Sequence, residues 1–105
     1  MSFPEIRLMD LPLDALGTTV TVATGEPFDA RQLTEKGYDW FRGAGAAFTA
    51  NLEGSVTGAT WTVIVALAAS GQGAVPVHYN YLRVNCSVQG ALGTGTRMLA
   101  AGKAL

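Results

Sequence analysis

From Thr18 onward, hydrophobic and polar positions alternate with a period of two, and most alternating runs end in glycine. A period of two puts successive side chains on opposite faces of a strand, so the pattern predicts half-buried β-strands joined by turns. Thr18-Thr19-Val20-Thr21-Val22-Ala23 reads as the first such strand, with Gly25-Glu26-Pro27 as a turn after it. Phe28 to Gly37 is the one helical candidate: Asp29 stands where a cap belongs, Gln32 follows three residues later, and Gly37 would stop it. A helix that short is marginal, and the stretch serves equally as a loop.

Tyr38 to Arg42 predicts a short aromatic strand, and Gly43-Ala44-Gly45 a turn. Ala47 to Val56 alternates, with Phe48, Ala50 and Leu52 on one face and Thr49, Asn51 and Glu53 on the other. Thr57-Gly58 reads as a tight turn into Thr60–Ala68, where Trp61, Val63, Val65 and Leu67 share a face and Trp61 is expected to be buried against the core or a subunit boundary. The opposite face, Thr62, Ile64 and Ala66, is also largely apolar, which predicts a central or covered strand. Ser70 to Gly73 reads as a turn. Val75 to Val88 reads as one long strand, with Leu82, Val84, Cys86 and Val88 facing in and Arg83, Asn85 and Ser87 facing out. Gly90 to Gly95 turns the chain into a closing strand, Thr96–Lys103.

Residues 1–16 have no such period, and Pro4 and Pro12 exclude a helix or a central strand. Phe3, Ile6, Leu8, Met9, Leu11, Leu13 and Leu16 make this stretch apolar, so it is expected to be an extended arm lying on another subunit. The fold class is therefore all-β: a small β-sandwich or jelly-roll-like domain over residues 17–105 preceded by an arm over residues 1–16.

Composition narrows the function. The chain has 105 residues, enough for one domain, with 49% hydrophobic residues and only 14% charged ones. A surface with few charges is readily covered by a neighbouring chain, because little charge must be desolvated. All eight acids and four bases fall in residues 1–53, a net of −4, and residues 54–105 carry only Arg83, Arg97 and Lys103, a net of +3. That asymmetry suits head-to-tail contact between copies, but three dispersed bases form no stripe for nucleic acid. The most apolar stretch, Trp61 to Ala69, has nine residues and is too short to span a bilayer. The start, Met1-Ser2-Phe3-Pro4-Glu5, lacks the basic and then apolar run of a secretory signal. The single Cys86 makes no internal disulfide and alternates with aliphatic residues, as a small buried hydrophobe does.

Candidate chemistry is sparse. One His and one Cys do not assemble a common zinc site, and no acids cluster for a calcium or magnesium site, so neither metal nor cofactor is expected. His78 is the only imidazole available to a nucleophile, and no Gly-x-Ser-x-Gly elbow accompanies it. Glu35, Asp39 and Glu53 are the carboxylates a glycosidase would need, but so short a domain leaves little room for a cleft. The glycine-rich run Gly90–Thr96 lacks the lysine of a phosphate loop. No catalytic residue is expected. Trp40, Phe41, Tyr79, Tyr81 and Arg83 join Phe3, Ile6, Leu8 and Leu11 as expected interface residues, because aromatics at strand spacing mark core or subunit boundary. Trp40, Trp61 and Tyr79 would alternatively form the platform of a carbohydrate-binding module.

Two stretches carry a resemblance. Residues 51–64, with Asn51-Leu52-Glu53-Gly54-Ser55, Gly58 and Trp61-Thr62-Val63-Ile64, resemble the S-x-D-G-x-x-W-x-x-[IL] hairpin of small bacteriophage virion β-sandwich proteins. Tyr79-Asn80-Tyr81-Leu82-Arg83-Val84-Asn85, followed by a closing Gly102-Lys103, resembles the Y-x-[YF]-[VIL]-R-V-N strand and end of the same group. Thr57 stands where the group has an acid before Gly58. The resemblance spans residues 47–105. It implies a structural role in a virion assembled in the host cytoplasm: a capsid decoration (cement) protein, or else a tail, neck or fibre component. The partners it implies are copies of the chain itself, as a trimer, and the major capsid protein or another virion protein.

Overall fold

The computed structural model describes residues 4–104, and it is all-β. Ten strands run in chain order as β1 (Pro4–Leu8), β2 (Thr19–Val20), β3 (Phe28–Asp29), β4 (Leu33–Phe41), β5 (Thr49–Ser55), β6 (Thr62–Ala66), β7 (Gly71–Ala74), β8 (Tyr81–Val88), β9 (Gly90–Ala91) and β10 (Arg97–Ala104). A first sheet has the order β1-β10-β4-β7, a second has β3-β8-β5-β6, and β2 pairs β9 in a short ribbon. Every pairing between named strands is antiparallel. The two sheets pack face to face as a small β-sandwich.

Alternation builds the core between them. Trp40, Met98 and Ala100 project inward from the first sheet, and Ala50, Leu52, Leu82, Val84 and Cys86 from the second. Trp40 is 2% exposed, and its ring meets Phe48 edge to face with centroids 5.9 Å apart. Such a contact adds to the gain from area burial alone. Cys86 is buried, and burial pushes its thiol up from the ordinary value.

Several elements differ from the expectation: Gly90–Ala91 is a short strand within the expected turn, Val88 is 54% exposed rather than inward, and three larger differences follow. The helical candidate is extended: β3, a link, and the first half of β4. Asp29 caps no helix; it accepts the amide and the guanidinium of Arg31, two residues on. Glu35 takes φ 50° at a bulge opposite Gly102, so the inward positions run Leu33, Lys36, Tyr38, Trp40. The resulting spacing of three between Leu33 and Lys36 imitates a helix, although a β-bulge produces it. Second, Gly71–Ala74 is not a turn but the edge strand β7. Gly73 lies opposite Tyr38, and a Cβ there would stand 2.8 Å from the Tyr38 hydroxyl, so the glycine makes room for that ring. Third, the long strand expected from Val75 begins only at Tyr81. Pro76 starts a turn in which the Tyr79 amide donates to the Pro76 carbonyl at 3.1 Å. His78, expected within a strand, stands exposed in that turn.

The expected arm is extended, but from Pro4 it belongs to its own domain. β1 pairs with β10 in register from Pro4↔Lys103 to Leu8↔Leu99, and the Met9 amide donates to the Met98 carbonyl at 2.8 Å. Met9 and Pro12 are buried, and Leu13 bridges to Val20.

Lys36 fixes the Pro76–Asn80 turn. It is only 6% exposed, and its Nζ donates to the carbonyls of Tyr79 at 2.7 Å and Val77 at 3.1 Å. Burial pulls its pKa below the ordinary lysine value, and the charge of Asp29 opposes that only in part.

Two outcomes follow. Trp40→Ala is expected to cost about 3–5 kcal/mol in chemical denaturation, the range for deleting a large core aromatic. Lys36→Met is expected to cost about 1–2 kcal/mol at neutral pH, since two charged hydrogen bonds are lost while one desolvated charge is relieved. The wild-type lysine holds its proton less tightly folded than unfolded. Stability therefore rises with pH between its lowered pKa and about 10.4, and the gap to Lys36→Met should widen there.

Candidate assembly surface

The outward face of the first sheet is where the sequence-expected interface residues of the N-terminal stretch come together with others. Register places Ile6 opposite Ala101 and Leu8 opposite Leu99, and then Leu99 opposite Asp39 and Ala101 opposite Gly37. β7 continues the same rows with Gln72 beside Asp39 and Ala74 beside Gly37. Ile6 is 66% exposed and Leu8 69%. A shallow concavity of about 540 Å³ lies over Ile6, Gly37, Asp39, Leu99 and Ala101. At the Leu8 end it adjoins a groove of about 470 Å³ lined by Leu11, Leu13, Leu92 and Met98. Phe41 lies opposite Arg97, whose guanidinium is 5.4 Å from the ring centroid. The result is a mainly apolar face with Asp39 and Gln72 within it, continued by a groove whose lining includes Arg97.

The remaining expected interface residues divide. Trp40 points inward and offers no surface to a partner. Tyr79 is half-buried against the core, in the space left by Gly54, where a Cβ would stand 2.7 Å from its ring. Tyr81 is half-buried with the Arg31 guanidinium 5.4 Å over its ring. Phe3 lies outside the described residues. Ala101 and Leu92 were not singled out from the sequence, and Leu99 was placed in the closing strand without a face. Leu99 and Ala101 sit in the closing strand, and only its pairing with β1 shows which of its two apolar faces is outside.

Arg83 is committed within the chain on the second sheet's outward face. Its Nε donates to Glu53 Oε1 at 2.7 Å, Asn85 Nδ2 donates to Glu53 Oε2 at 3.1 Å, and the guanidinium lies 4.2 Å over the Trp61 ring. The alternation had placed both side chains on the outward faces of their strands. Trp61 itself is half-buried rather than buried, and precedes β6 at the end of a six-residue connection from Val56 to Trp61. Within it Gly58 has φ 86°, a conformation that favours glycine, and its amide donates to Ser55 Oγ at 2.7 Å. With Trp40 in the core and Trp61 beneath Arg83, the aromatics of a sugar platform are not gathered on one surface.

No group of three or more His, Cys, Asp or Glu stands close enough to hold a metal ion among the described residues. Comparison with protein-family models, with curated proteins and with solved structures finds no match.

Glu53→Ala leaves Arg83 on the sheet without its carboxylate. The expected cost is about 2–3 kcal/mol, less than for a fully buried pair because Arg83 keeps some contact with water. Equilibrium unfolding in urea measures it, and Trp61 fluorescence should shift in the folded baseline as the guanidinium loses its hold.

Proposed function

We propose that the chain is a structural protein of a virion, a capsid decoration protein that docks the outward face of β1, β10 and β4 on the shell. The observation that carries this reading is the pair Ile6 and Leu8, both more than half exposed beside Leu99 and above an apolar groove. An isolated domain gains nothing from such a face, while a subunit seated on a larger surface buries it. The resemblance of residues 47–105 to small phage virion β-sandwiches supports the same reading, and a tail, neck or fibre position would use the same face.

The test is co-sedimentation of the purified chain with shells built from the capsid protein of its own genome, followed by heating the decorated shells. The wild type should bind and raise the temperature at which shells open. Ile6→Lys with Leu8→Lys should abolish binding, while each changes the stability of the free chain by no more than about 0.5 kcal/mol, as surface substitutions do. A wild type that fails to bind shells, or a doubly substituted chain that binds as well, overturns the reading.

A further inference from the structure

The two flanks of the sandwich are guarded very differently. Along one flank run the edge strands β1 and β3, where Glu5, Arg7, Phe28 and Asp29 line a common cleft. Arg7 pairs with Glu5 at 3.0 Å and Arg31 with Asp29 at 2.7 Å, and the Arg31 hydrogen bonds hold the Asp29 carboxyl down at about 2. β1 also begins with Pro4, which has no amide to donate. Charges and proline are what keep an open strand edge from pairing with another chain.

The edge strands of the opposite flank carry neither, and the nearest charge, Arg42, is turned onto the carbonyls of Leu67, Ala46 and Phe48. β6 and β7 are the outer strands there, and residues 54–82, which contain both, hold no Asp, Glu, Lys or Arg over 29 positions. β7 is Gly71-Gln72-Gly73-Ala74, short and glycine-rich, and so a poor template. β6 is Thr62-Val63-Ile64-Val65-Ala66, five residues of high strand propensity, paired on one side only. Val63 is 53% exposed, and Thr62 and Ala66 are exposed. A bulge at Ile64 bends the strand, the one feature that blunts this edge, but it adds no charge.

We infer that β6 is a self-pairing edge: two copies join β6 to β6, antiparallel about a two-fold axis, into a continuous eight-stranded sheet. A second copy is the occupant the charges select. Setting β6 head-to-tail against β1 would press the Glu5–Arg7 pair into the joint and meet Pro4, and β3 offers only two residues. β6 against β6 desolvates no charge on either strand and matches equal lengths. The pair is two-fold, in place of the trimer expected from the resemblance. It leaves the outward face of β1, β10 and β4 uncovered, so it stands independently of the shell-docking reading.

Sedimentation equilibrium and concentration-dependent amide hydrogen exchange test this on the full chain. The wild type should form dimers, and β6 amides should exchange more slowly as concentration rises. Thr62→Lys with Ala66→Lys should weaken dimerisation at least tenfold while leaving the circular-dichroism melt unchanged at concentrations low enough for the wild type to be monomeric, whereas Glu5→Ala with Arg7→Ala should leave dimerisation as it is. A wild type that stays monomeric to about 1 mM overturns the inference. So does a lysine variant that dimerises like the wild type, or an assembly whose protection appears elsewhere than β6. Should the lysine variant fail to fold, the wild-type exchange data alone decide, because unchanged β6 exchange across concentration excludes the pairing.

Discussion

A sandwich of two sheets has four faces and can enclose only two of them, and this limit organises the whole molecule. The enclosed pair is secured by Trp40 against Phe48, with Leu52, Val84 and Met98 at essentially zero exposure around them. Because the chain has 105 residues and nearly half are hydrophobic, the enclosed layer does not absorb them all. The surplus lies on the two outward faces and the edges, where each residue must be closed by a neighbour or left to the solvent. The second sheet closes its outward face internally, through Glu53, Arg83, Asn85 and Trp61. The first sheet leaves Ile6 and Leu8 open.

What could be read beforehand follows from how local each signal is. Alternation at Phe48, Ala50 and Leu52 placed β5 to within two residues, and alternation at Leu82, Val84 and Cys86 gave the inward face and the far end of β8 but not its start, which Pro76 delays from Val75 to Tyr81. That Arg83 and Glu53 lie on the polar sides of their strands was legible for the same reason, while their pairing follows only from the register Glu53↔Arg83. The reading failed where a long-range partner overrode the local pattern. Glycines in β7 look like a turn until Tyr38 is placed across from Gly73. Asp29 and Gln32 look like a helix start until Asp29 is found paired across from Tyr81 and holding Arg31. The apolar N-terminal stretch looked like an arm because its partner, β10, lies at the far end of the chain. For the candidate surface, Ile6 and Leu8 were legible as apolar and unplaced, while Leu99 and Ala101 acquire meaning only through register.

The use of arginine shows what kind of recognition such a surface supports. Arg31, Arg42, Arg83 and Arg97 each lie over an aromatic ring of the same chain, at Tyr81, Phe48, Trp61 and Phe41. Arg31 and Arg83 also hold carboxylates, and Arg42 donates to the carbonyls of Leu67, Ala46 and Phe48, pinning the end of β6 to the segment that leads into β5. Cations spent inside the fold do little to steer a partner from a distance, and a net charge of −1 adds almost nothing to that field. Contacts made by this chain must then draw on short-range terms, namely apolar area and unpaired backbone. Those are the two things it exposes, the first on the face of β1 and β10, the second along the edge of β6. A surface of that kind suits long-lived placement on a rigid, complementary neighbour rather than rapid capture of a charged ligand, because its attraction falls off within a contact distance and depends on shape.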